Sequence, residues 1–301
     1  MDLRTVINHG YGIRTGLALA RVMPKAAGYA LARFLARGIA MQKNQPMVKA
    51  VRVNQWVARG EKLTTAELDE AVRLTFLDRA YSIYDLYHNL QKPERMPGYV
   101  KFSPEFKTLI KRSQRRDEGM VVVLPHVSNY ELVGLATAVQ GGQALTLTLP
   151  EQPGGYKQHD IIRQNFGIEA VPASMASFKH ATKHLKAGGT VATGVDRPLP
   201  ESNYRPKFFG REAALPVHYV VLALRANVPV VVAGVSRGDD GVCTVFNSDF
   251  ITMERLSNRR TEILLNAERI LGVAEQYIRQ SPQQWAMFFE MWPDVIPETL
   301  D

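Results

Sequence analysis

Short apolar runs separated by amphipathic stretches dominate the chain from about residue 99 onward. Six runs are rich in Val, Leu, Ile and Thr and have the length of buried strands. They cover 120–125, 144–149, 168–172, 190–195, 229–235 and 242–247. Helical spacing fills the intervals, over 129–140, 156–166, 174–187, 212–226 and 258–280. This alternation predicts an α/β fold with a mixed, mostly parallel sheet flanked by helices.

The first ninety residues follow a purely helical pattern. In "IRTGLALARVMPKAAGYALARFLARGIAM" (13–41), arginines interrupt an aliphatic sequence at regular intervals, and Pro24 starts a second helix. One face of that helix is apolar, with Arg33 and Arg37 opposite. The apolar face consists of Ala27, Leu31, Phe34, Leu35 and Gly38. A further long helix is predicted over 62–95, with Thr64 and Glu67 as a capping box.

The positive charge is concentrated in this helical segment. The chain carries a net charge of +8, whereas residues 1–60 hold ten Lys or Arg and one acid, a balance of +9. We therefore divide the chain into a basic amphipathic helical arm (1–60) and an α/β domain (61–301). The asymmetry predicts contact with an anionic surface, and aliphatic residues between the cations favour a membrane over nucleic acid. Packing of the apolar face inside the protein is the alternative.

The arm is expected to lie on the membrane without crossing it. It contains no uncharged run of 18 residues, so a transmembrane helix is not predicted. Arginine and lysine interrupt the early apolar stretch, so no secretory signal peptide is visible either. The single cysteine, Cys243, excludes an intrachain disulfide and fits a reducing compartment.

Two short motifs are set aside on their context. "GVSRG" (234–238) matches the nucleophile elbow of hydrolases, but a turn and a strand follow it where a helix is needed. His180 and His184 have the spacing of a zinc pair on a helix. Their helix also carries Lys179, Lys183 and Lys186, which would repel a cation. No metal site is predicted.

The stretch "VVVLPHVSNYELVGLATA" (121–138) raises a functional question. His126 follows a buried strand, at the position where α/β proteins place their ligands. Glu131 comes five residues later and could orient the histidine as a general base. Because Ser128 and Glu131 also form an acceptable capping box, the pair could instead only mark the change from strand to helix. Asp196 and Arg197 follow another strand end.

Three segments in order resemble one enzyme family. "PHVSNYE" resembles the His-x4-Asp/Glu signature of the bacterial lipid A late acyltransferases, the lauroyl/myristoyl acyltransferase family that includes phosphatidylinositol mannoside acyltransferases. "GVDRPLPESNYRPKFFGREAALPVHYVVLALRANVPVVVAGVSR" is similar to the family's acid and Phe-Phe-Gly block, and "YIRQSPQQWAMFFEMWP" to its Pro-x-x-Trp segment. The resemblance covers about residues 10–295. Ser128-Asn129-Tyr130 departs from the usual Gly-Asn-Trp.

The resemblance implies a role for each candidate residue. His126 would be the general base, Glu131 would orient it, and Asp196 would either share that task or pair with Arg197. Arg197 would stabilise an oxyanion or hold a phosphate, and Arg163 is a second phosphate ligand. Ser128 and Asn129, inside the motif, are expected to contact the substrate.

The resemblance also implies the substrates and the location. The donor would be acyl-CoA or acyl carrier protein, and the acceptor a hydroxyl of a glycolipid such as a lipid A precursor. No metal or other cofactor is implied. The enzyme would lie on the cytoplasmic face of the bacterial inner membrane, as a peripheral or monotopic protein. A thioesterase using the same site and a non-catalytic lipid-binding protein are the alternatives.

Overall fold

A computed structural model describes residues 10–90, 92–148 and 154–296 of the protein. The first nine residues of the basic arm lie outside these ranges. Within the described ranges, four helices precede the sheet: α1 (Gly10–Val22), α2 (Lys25–Ala40), α3 (Pro46–Ala58) and α4 (Thr65–Asn89). The capping box predicted at the start of α4 is present, with both hydrogen bonds made between Thr64 and Glu67.

Strands and helices then alternate to the end of the described chain. The strands are β1 (Val100–Phe102), β2 (Met120–Leu124), β3 (Leu145–Thr148), β4 (Glu169–Pro172), β5 (Thr190–Gly194), β6 (Lys207–Phe208), β7 (Arg211–Glu212), β8 (Val230–Arg237) and β9 (Cys243–Asn247). The helices are α5 (Pro104–Arg115), α6 (Tyr130–Val139), α7 (Gly154–Asn165), α8 (Met175–Lys186), α9 (His218–Ala226) and α10 (Arg259–Gln280).

Seven strands form one twisted sheet in the order β1-β9-β8-β2-β5-β3-β4. All pairs are parallel except β8 with β9, which run antiparallel. The predicted α/β fold with a mostly parallel sheet is therefore confirmed. Because β2, β5 and β3 are parallel, their carboxyl ends meet at one edge of the sheet, where ligands bind in open α/β folds.

The six predicted strands are all present, and the differences lie between them. β1 has three residues, too few for a periodic signal, and α5 follows it with Ser103 as its N-cap. The long helix ends at Asn89 instead of 95, because a 3₁₀ turn containing two prolines follows at Pro93–Tyr99. The helix predicted from 212 begins at His218, since β6 and β7 pair as a hairpin immediately before it.

The helical arm is only partly exposed. α3 is almost entirely buried, with Val48, Val51 and Trp56 in the main core cluster. On α2 the buried side is the small-residue row of Gly28, Ala32 and Ala36, which faces α4. The apolar face predicted from the sequence is therefore not packed inside: Phe34 is 75% exposed. The other exposed large apolar residues of α1, α2 and the turn after α2 are Leu19, Val22, Leu31, Leu35 and Met41.

A close approach and a buried polar cluster attach the arm to the body. A Cβ on Gly28 would lie 2.2 Å from the Tyr84 ring, so only glycine allows α2 this near to α4. Arg237, at the end of β8, donates to Tyr29 Oη (2.6 Å) and to Asp85 Oδ2 (3.2 Å). Tyr29 also donates to Asp85. Of the helices that the structure describes, none is long and apolar enough to cross a bilayer.

Candidate active site

His126 lies just beyond the carboxyl end of β2, held there by the C-terminal segment. Its carbonyl accepts a hydrogen bond from the Ala286 N–H (2.7 Å), and the Ser128 N–H donates to the Gln284 carbonyl (2.6 Å). Ser128 itself has φ +54°, in the left-handed region that favours glycine. The resembled family usually carries glycine at this position, and a left-handed backbone is the physical reason to favour glycine there. This chain holds a serine in that conformation.

Asp196, two residues beyond β5, is the partner of the His126 ring. Its Oδ1 lies 2.5 Å from His126 Nδ1, and its Oδ2 accepts from the His126 backbone N–H at 2.9 Å. The buried Trp285 indole donates to the same Oδ2 at 2.8 Å. Three hydrogen bonds therefore fix both the position of the carboxylate and the orientation of the imidazole.

The electrostatics keep this carboxylate charged. Burial alone would raise the pKa of Asp196, but the adjacent His126 and the hydrogen bonds from His126 and Trp285 outweigh it and hold the pKa below its usual value. An ionised Asp196 accepts from Nδ1–H, which leaves the lone pair of the neutral ring on Nε2. Nε2 makes no hydrogen bond to residues of the described ranges, and His126 lines a cavity. The ring can therefore take a proton from a ligand in that cavity.

Gly194, the last residue of β5, makes room for the histidine. A Cβ there would lie 2.7 Å from His126 Cε1, a separation that real Cβ atoms do not show. On the other side of the ring, Tyr130 packs edge-on, with the ring centroids 4.8 Å apart. The imidazole is thus confined between Gly194 and the edge of the Tyr130 ring, which limits its rotation.

Glu131 belongs to a separate polar cluster. Its carboxylate lies 3.2 Å from His159 Nδ1 and 3.8 Å from Arg163, both on α7. Burial would raise the pKa of Glu131, but His159, Arg79 and Arg163 outweigh that effect and hold it well below its usual range. The structure therefore brings Asp196 to the Nδ1 position that the sequence analysis gave to Glu131, and it places Glu131 among cations.

The cavity beside His126 has a volume of about 710 Å³, within the range of small-molecule sites. It opens where β5 separates from β3. β5 pairs with β2 along five residues but with β3 only at Val191 and Ala192. Beyond that point the two strands diverge, and the residues on both sides of the gap line the cavity: Leu147, Thr148, Thr193 and Gly194.

Most of the cavity wall is apolar. Side chains from the sheet, α6, α8 and α9 contribute to it: Leu124, Leu135, Ile168, Phe178, Val217, Val221 and Leu222. Charged groups also line the cavity: Arg163 pairs with Asp160 at 2.7 Å, and Arg225 belongs to the wall formed by α9. Arg197 also lines the cavity, with its guanidinium 4.1 Å from the Phe289 ring centroid. The cavity can therefore hold a long apolar group with a polar or anionic end.

Ser128 and Asn129 do not line the cavity. Both are buried, and their polar atoms are used within the fold. Asn129 caps α6 by accepting from the Leu132 N–H, and its amide donates to the Ser82 carbonyl. The Ser128 hydroxyl lies 3.9 Å from the Cys243 sulfur. These contacts shape the loop that carries His126 and leave neither side chain on the substrate side.

Aromatic residues from two distant segments pack around Trp285, the indole that binds Asp196. Phe208 and Phe209, from the β6–β7 hairpin, pack against Trp285 and Trp292 with centroid distances of 5.6–6.2 Å. All four are buried. The Phe-Phe-Gly and Pro-x-x-Trp segments thus form one aromatic cluster, and its Trp285 indole donates a hydrogen bond to Asp196.

His218, the first residue of α9, is a second histidine in the cavity wall. Its Nε2 lies 2.9 Å from the Thr193 hydroxyl. Burial lowers the pKa of His218 to about 4, so the ring is neutral at pH 7.

This low pKa predicts a pH dependence of stability. Below pH 6.5 the unfolded chain protonates this histidine, whereas the folded protein does not until about pH 4, so stability is lost as the pH falls through that window. We expect the unfolding free energy of the wild type, relative to His218→Phe, to fall by about 2–3 kcal/mol between pH 7 and 4.5. Urea denaturation at both pH values measures the difference. Parallel changes in the two proteins would contradict a buried neutral ring.

Three residues of the site were not singled out from the sequence. They are His159, His218 and Trp285, the last of which binds Asp196. His159 stands four residues before Arg163, so both share one face of α7, and that spacing could have revealed the pair. Trp285 lies in the Pro-x-x-Trp segment, where nothing in the neighbouring sequence indicates a contact with a distant acid. Nothing in the sequence near His218 indicates that its ring meets the end of β5, because a hairpin separates the two elements.

A histidine–aspartate pair at the carboxyl edge of an α/β sheet, beside a large apolar cavity, is the arrangement of an enzyme for a lipid-like substrate. Residues 94–293 match the family described as bacterial lipid A biosynthesis acyltransferase. The chain therefore belongs to this family and is an acyl-transfer enzyme. The comparison with curated proteins gives no significant match.

Proposed function

We propose that the enzyme moves a fatty acyl chain from a thioester, acyl-CoA or acyl carrier protein, to a hydroxyl of a glycolipid such as a lipid A precursor. His126 is the general base, and Asp196 is the residue that orients it. The observation that carries this proposal is the Nδ1–Asp196 hydrogen bond, which leaves Nε2 on the cavity side. The reaction needs no resident metal or other cofactor.

The proposed reaction has two steps. In the first, Nε2 of His126 takes the acceptor's hydroxyl proton while the hydroxyl oxygen attacks the thioester carbonyl, giving a tetrahedral oxyanion and an imidazolium balanced by Asp196. In the second, the oxyanion collapses, the carbon–sulfur bond breaks, and the thiolate leaves as a thiol with the proton from Nε2. Arg197, in the cavity wall, is placed to stabilise the oxyanion or a substrate phosphate.

Glu131 is proposed to act through the cations around it. Arg163 lies in the cavity wall and is held between Asp160 and Glu131, while His159 contacts Glu131 from the same helix. A guanidinium fixed in this way is suited to a phosphate of the donor or acceptor. Glu131 is then a positioning residue for the phosphate ligands.

This role predicts how Glu131→Gln changes the kinetics. We expect the KM of the phosphate-bearing substrate to rise about tenfold, because Arg163 and His159 lose their anionic partner, while kcat changes by less than about threefold. Steady-state kinetics with each substrate varied in turn measures the split. Glu169→Gln, which alters an exposed pair with His180, is the control. A large loss of kcat at unchanged KM would instead place Glu131 in the proton transfer.

The arm is proposed to hold the enzyme on the cytoplasmic face of the inner membrane. The support is the exposed apolar face of α2, with Phe34 and Leu35 in solvent and Arg33 and Arg37 on the same helix. A helix of this kind places its apolar side in the acyl boundary and its arginines at the lipid phosphates.

Removing the apolar side chains should release the protein from lipid. We expect the double variant Phe34→Gln, Leu35→Gln to bind vesicles containing anionic lipid at least tenfold more weakly, since each buried side chain contributes about 1.5–3 kcal/mol. Vesicle co-sedimentation measures the change. Leu256→Gln removes an exposed leucine outside the arm and is the matched control. Equal binding by both variants would show that the arm is not the lipid contact.

The proposed function is tested by acyl transfer from a panel of acyl-CoA and acyl-carrier-protein donors to a crude glycolipid extract, with the products identified by mass spectrometry. An acylated glycolipid supports the proposal, and its mass names the chain and the acceptor. Release of free fatty acid without need of an acceptor would indicate a thioesterase. Vesicle binding with no turnover of any donor would indicate a lipid-binding protein.

A further inference from the structure

Among the polar groups that line the apolar cavity is a histidine that the acyl-transfer steps themselves do not use. His218 and Thr193 form a hydrogen-bonded pair in its wall, between the Phe178 ring at a centroid distance of 5.7 Å and the end of β5. Nε2 of His218 is engaged with Thr193. Its Nδ1 makes no hydrogen bond to any residue within 10–90, 92–148 or 154–296.

Helix α9 gives the direction in which a chain would run past this pair. His218, Val221, Leu222 and Arg225 all line the cavity, at a spacing that places them on one face of the helix. The seven helical steps from His218 to Arg225 span about 10 Å, so this face forms a wall about 10 Å long. α9 leads into β8, which is parallel to β2, so His218 lies at the same carboxyl edge as His126 and Arg225 toward the opposite edge.

An unsubstituted alkyl chain leaves the His218 end of this wall without a hydrogen-bonding partner. A hydrocarbon covering His218 Nδ1 would remove it from water without supplying a hydrogen bond, and an unmatched polar group of this kind is costly. A site built around a hydrogen-bonding group discriminates strongly against analogues that lack the matching partner.

The chemistry of the ring narrows the class of partner. Because the imidazole is neutral, it offers no charge to attract a carboxylate. One nitrogen of a neutral imidazole donates and the other accepts, and which is which depends on the tautomer. A hydroxyl both donates and accepts, so it satisfies Nδ1 in either tautomer, whereas a carbonyl oxygen or an ether satisfies only one.

We infer that the cavity takes a hydroxylated fatty acyl group, and that His218, anchored by Thr193, is the specificity-determining residue that binds its hydroxyl near the thioester end. The inference rests on the proposed function and specifies its donor. The position follows from His218 lying at the edge that carries His126, so a hydroxyl at the methyl end of the chain would be too deep to reach it.

Donor competition tests this inference. The donors are matched in chain length and are unsubstituted, 2-hydroxy, 3-hydroxy or terminally hydroxylated. We expect the wild type to prefer a 2- or 3-hydroxyacyl donor over the unsubstituted one by about tenfold or more in kcat/KM. His218→Phe, which keeps a ring and removes both nitrogens, should bring the preference to within about twofold. Thr193→Val, which removes only the anchor, should weaken it in the same direction.

Two controls separate this role from others. Val221→Leu changes the same wall of α9 without a hydrogen-bonding group and should affect all donors alike. Circular dichroism and thermal denaturation establish that each variant is folded. If His218 instead polarises the thioester carbonyl, His218→Phe will lower kcat equally for every donor, and the inference fails.

A binding measurement keeps this test independent of turnover. Hydroxylated and plain fatty acids compete for a fluorescent fatty acid in the cavity of the wild type and His218→Phe. Selective binding of the hydroxylated acids, lost in the variant, supports the inference even if no acceptor is found and acyl transfer fails. Equal binding and equal transfer of all chains by the wild type would overturn it while leaving acyl transfer standing.

Discussion

We expect His126→Ala to lower the acyl-transfer rate by at least 10²-fold, within the range that a general base contributes. The reason is that Nε2 is the basic nitrogen of a ring whose other nitrogen is already bound to Asp196. The loss should fall on kcat, because the imidazole takes the proton but does not grip the lipid chain. Transfer from the best donor of the panel, with product measured by mass spectrometry, gives the ratio of the two rates.

His180→Ala is the matched control for this variant. His180 is an exposed histidine on α8 whose partner is Glu169, so its removal should leave transfer unchanged. Circular dichroism distinguishes loss of the base from loss of the fold. Transfer by folded His126→Ala at the wild-type rate would reduce the histidine to a turn residue between β2 and α6.

The second large effect is expected at Asp196→Asn. An amide keeps the shape of the carboxylate but offers one acceptor oxygen where Asp196 uses two. If that oxygen serves the Trp285 indole and the His126 backbone, the amide nitrogen faces Nδ1 and forces the ring proton onto Nε2. The base is then in the wrong tautomer, and we expect kcat to fall on the order of 10²–10⁴ with little change in KM.

The comparison between Asp196→Asn and Glu131→Gln divides the two acids by role. The first should change kcat and the second KM, under identical assay conditions. Asp117→Asn, which alters an exposed pair with Arg115, controls for the loss of a negative charge. An active Asp196→Asn enzyme beside an inactive Glu131→Gln enzyme would return the orienting role to Glu131.

The fold was largely predictable because the buried strands carry strong signals. Continuous runs of β-branched residues mark β2 and β8, and alternating amphipathic segments imply the parallel arrangement. Where prediction failed, the signal is short or interrupted: β1 has three residues, and the hairpin before α9 pairs only two residues on each side. Local sequence also could not show that α2 uses its small residues, not its large ones, to pack on α4.

Some residues of the site could be predicted from the sequence, but their pairing could not. His126 and Asp196 could be named from strand ends and the resemblance, and Arg163 from its place on a predicted helix. All three lie in or directly beside the cavity. Which acid meets the histidine depends on how far β5 extends relative to β2, and sheet register is not visible in the sequence around His126. The capping motif of α6 suggested Ser128 as a local partner for Glu131, whereas α7 supplies the actual ones from a distant part of the chain.

The attachment of α2 has a consequence for shortening the protein. A chain cut back to the start of α3 would lose the exposed apolar face of α2. It would also lose the packing of α2 on Tyr84 and the Tyr29 hydroxyl that lies between Asp85 and Arg237. The two charged groups would then face water at the end of β8, the strand that pairs with β2. Such a deletion would increase solubility but would also destabilise the sheet. Lipid attachment and the integrity of the catalytic domain therefore cannot be separated by deletion.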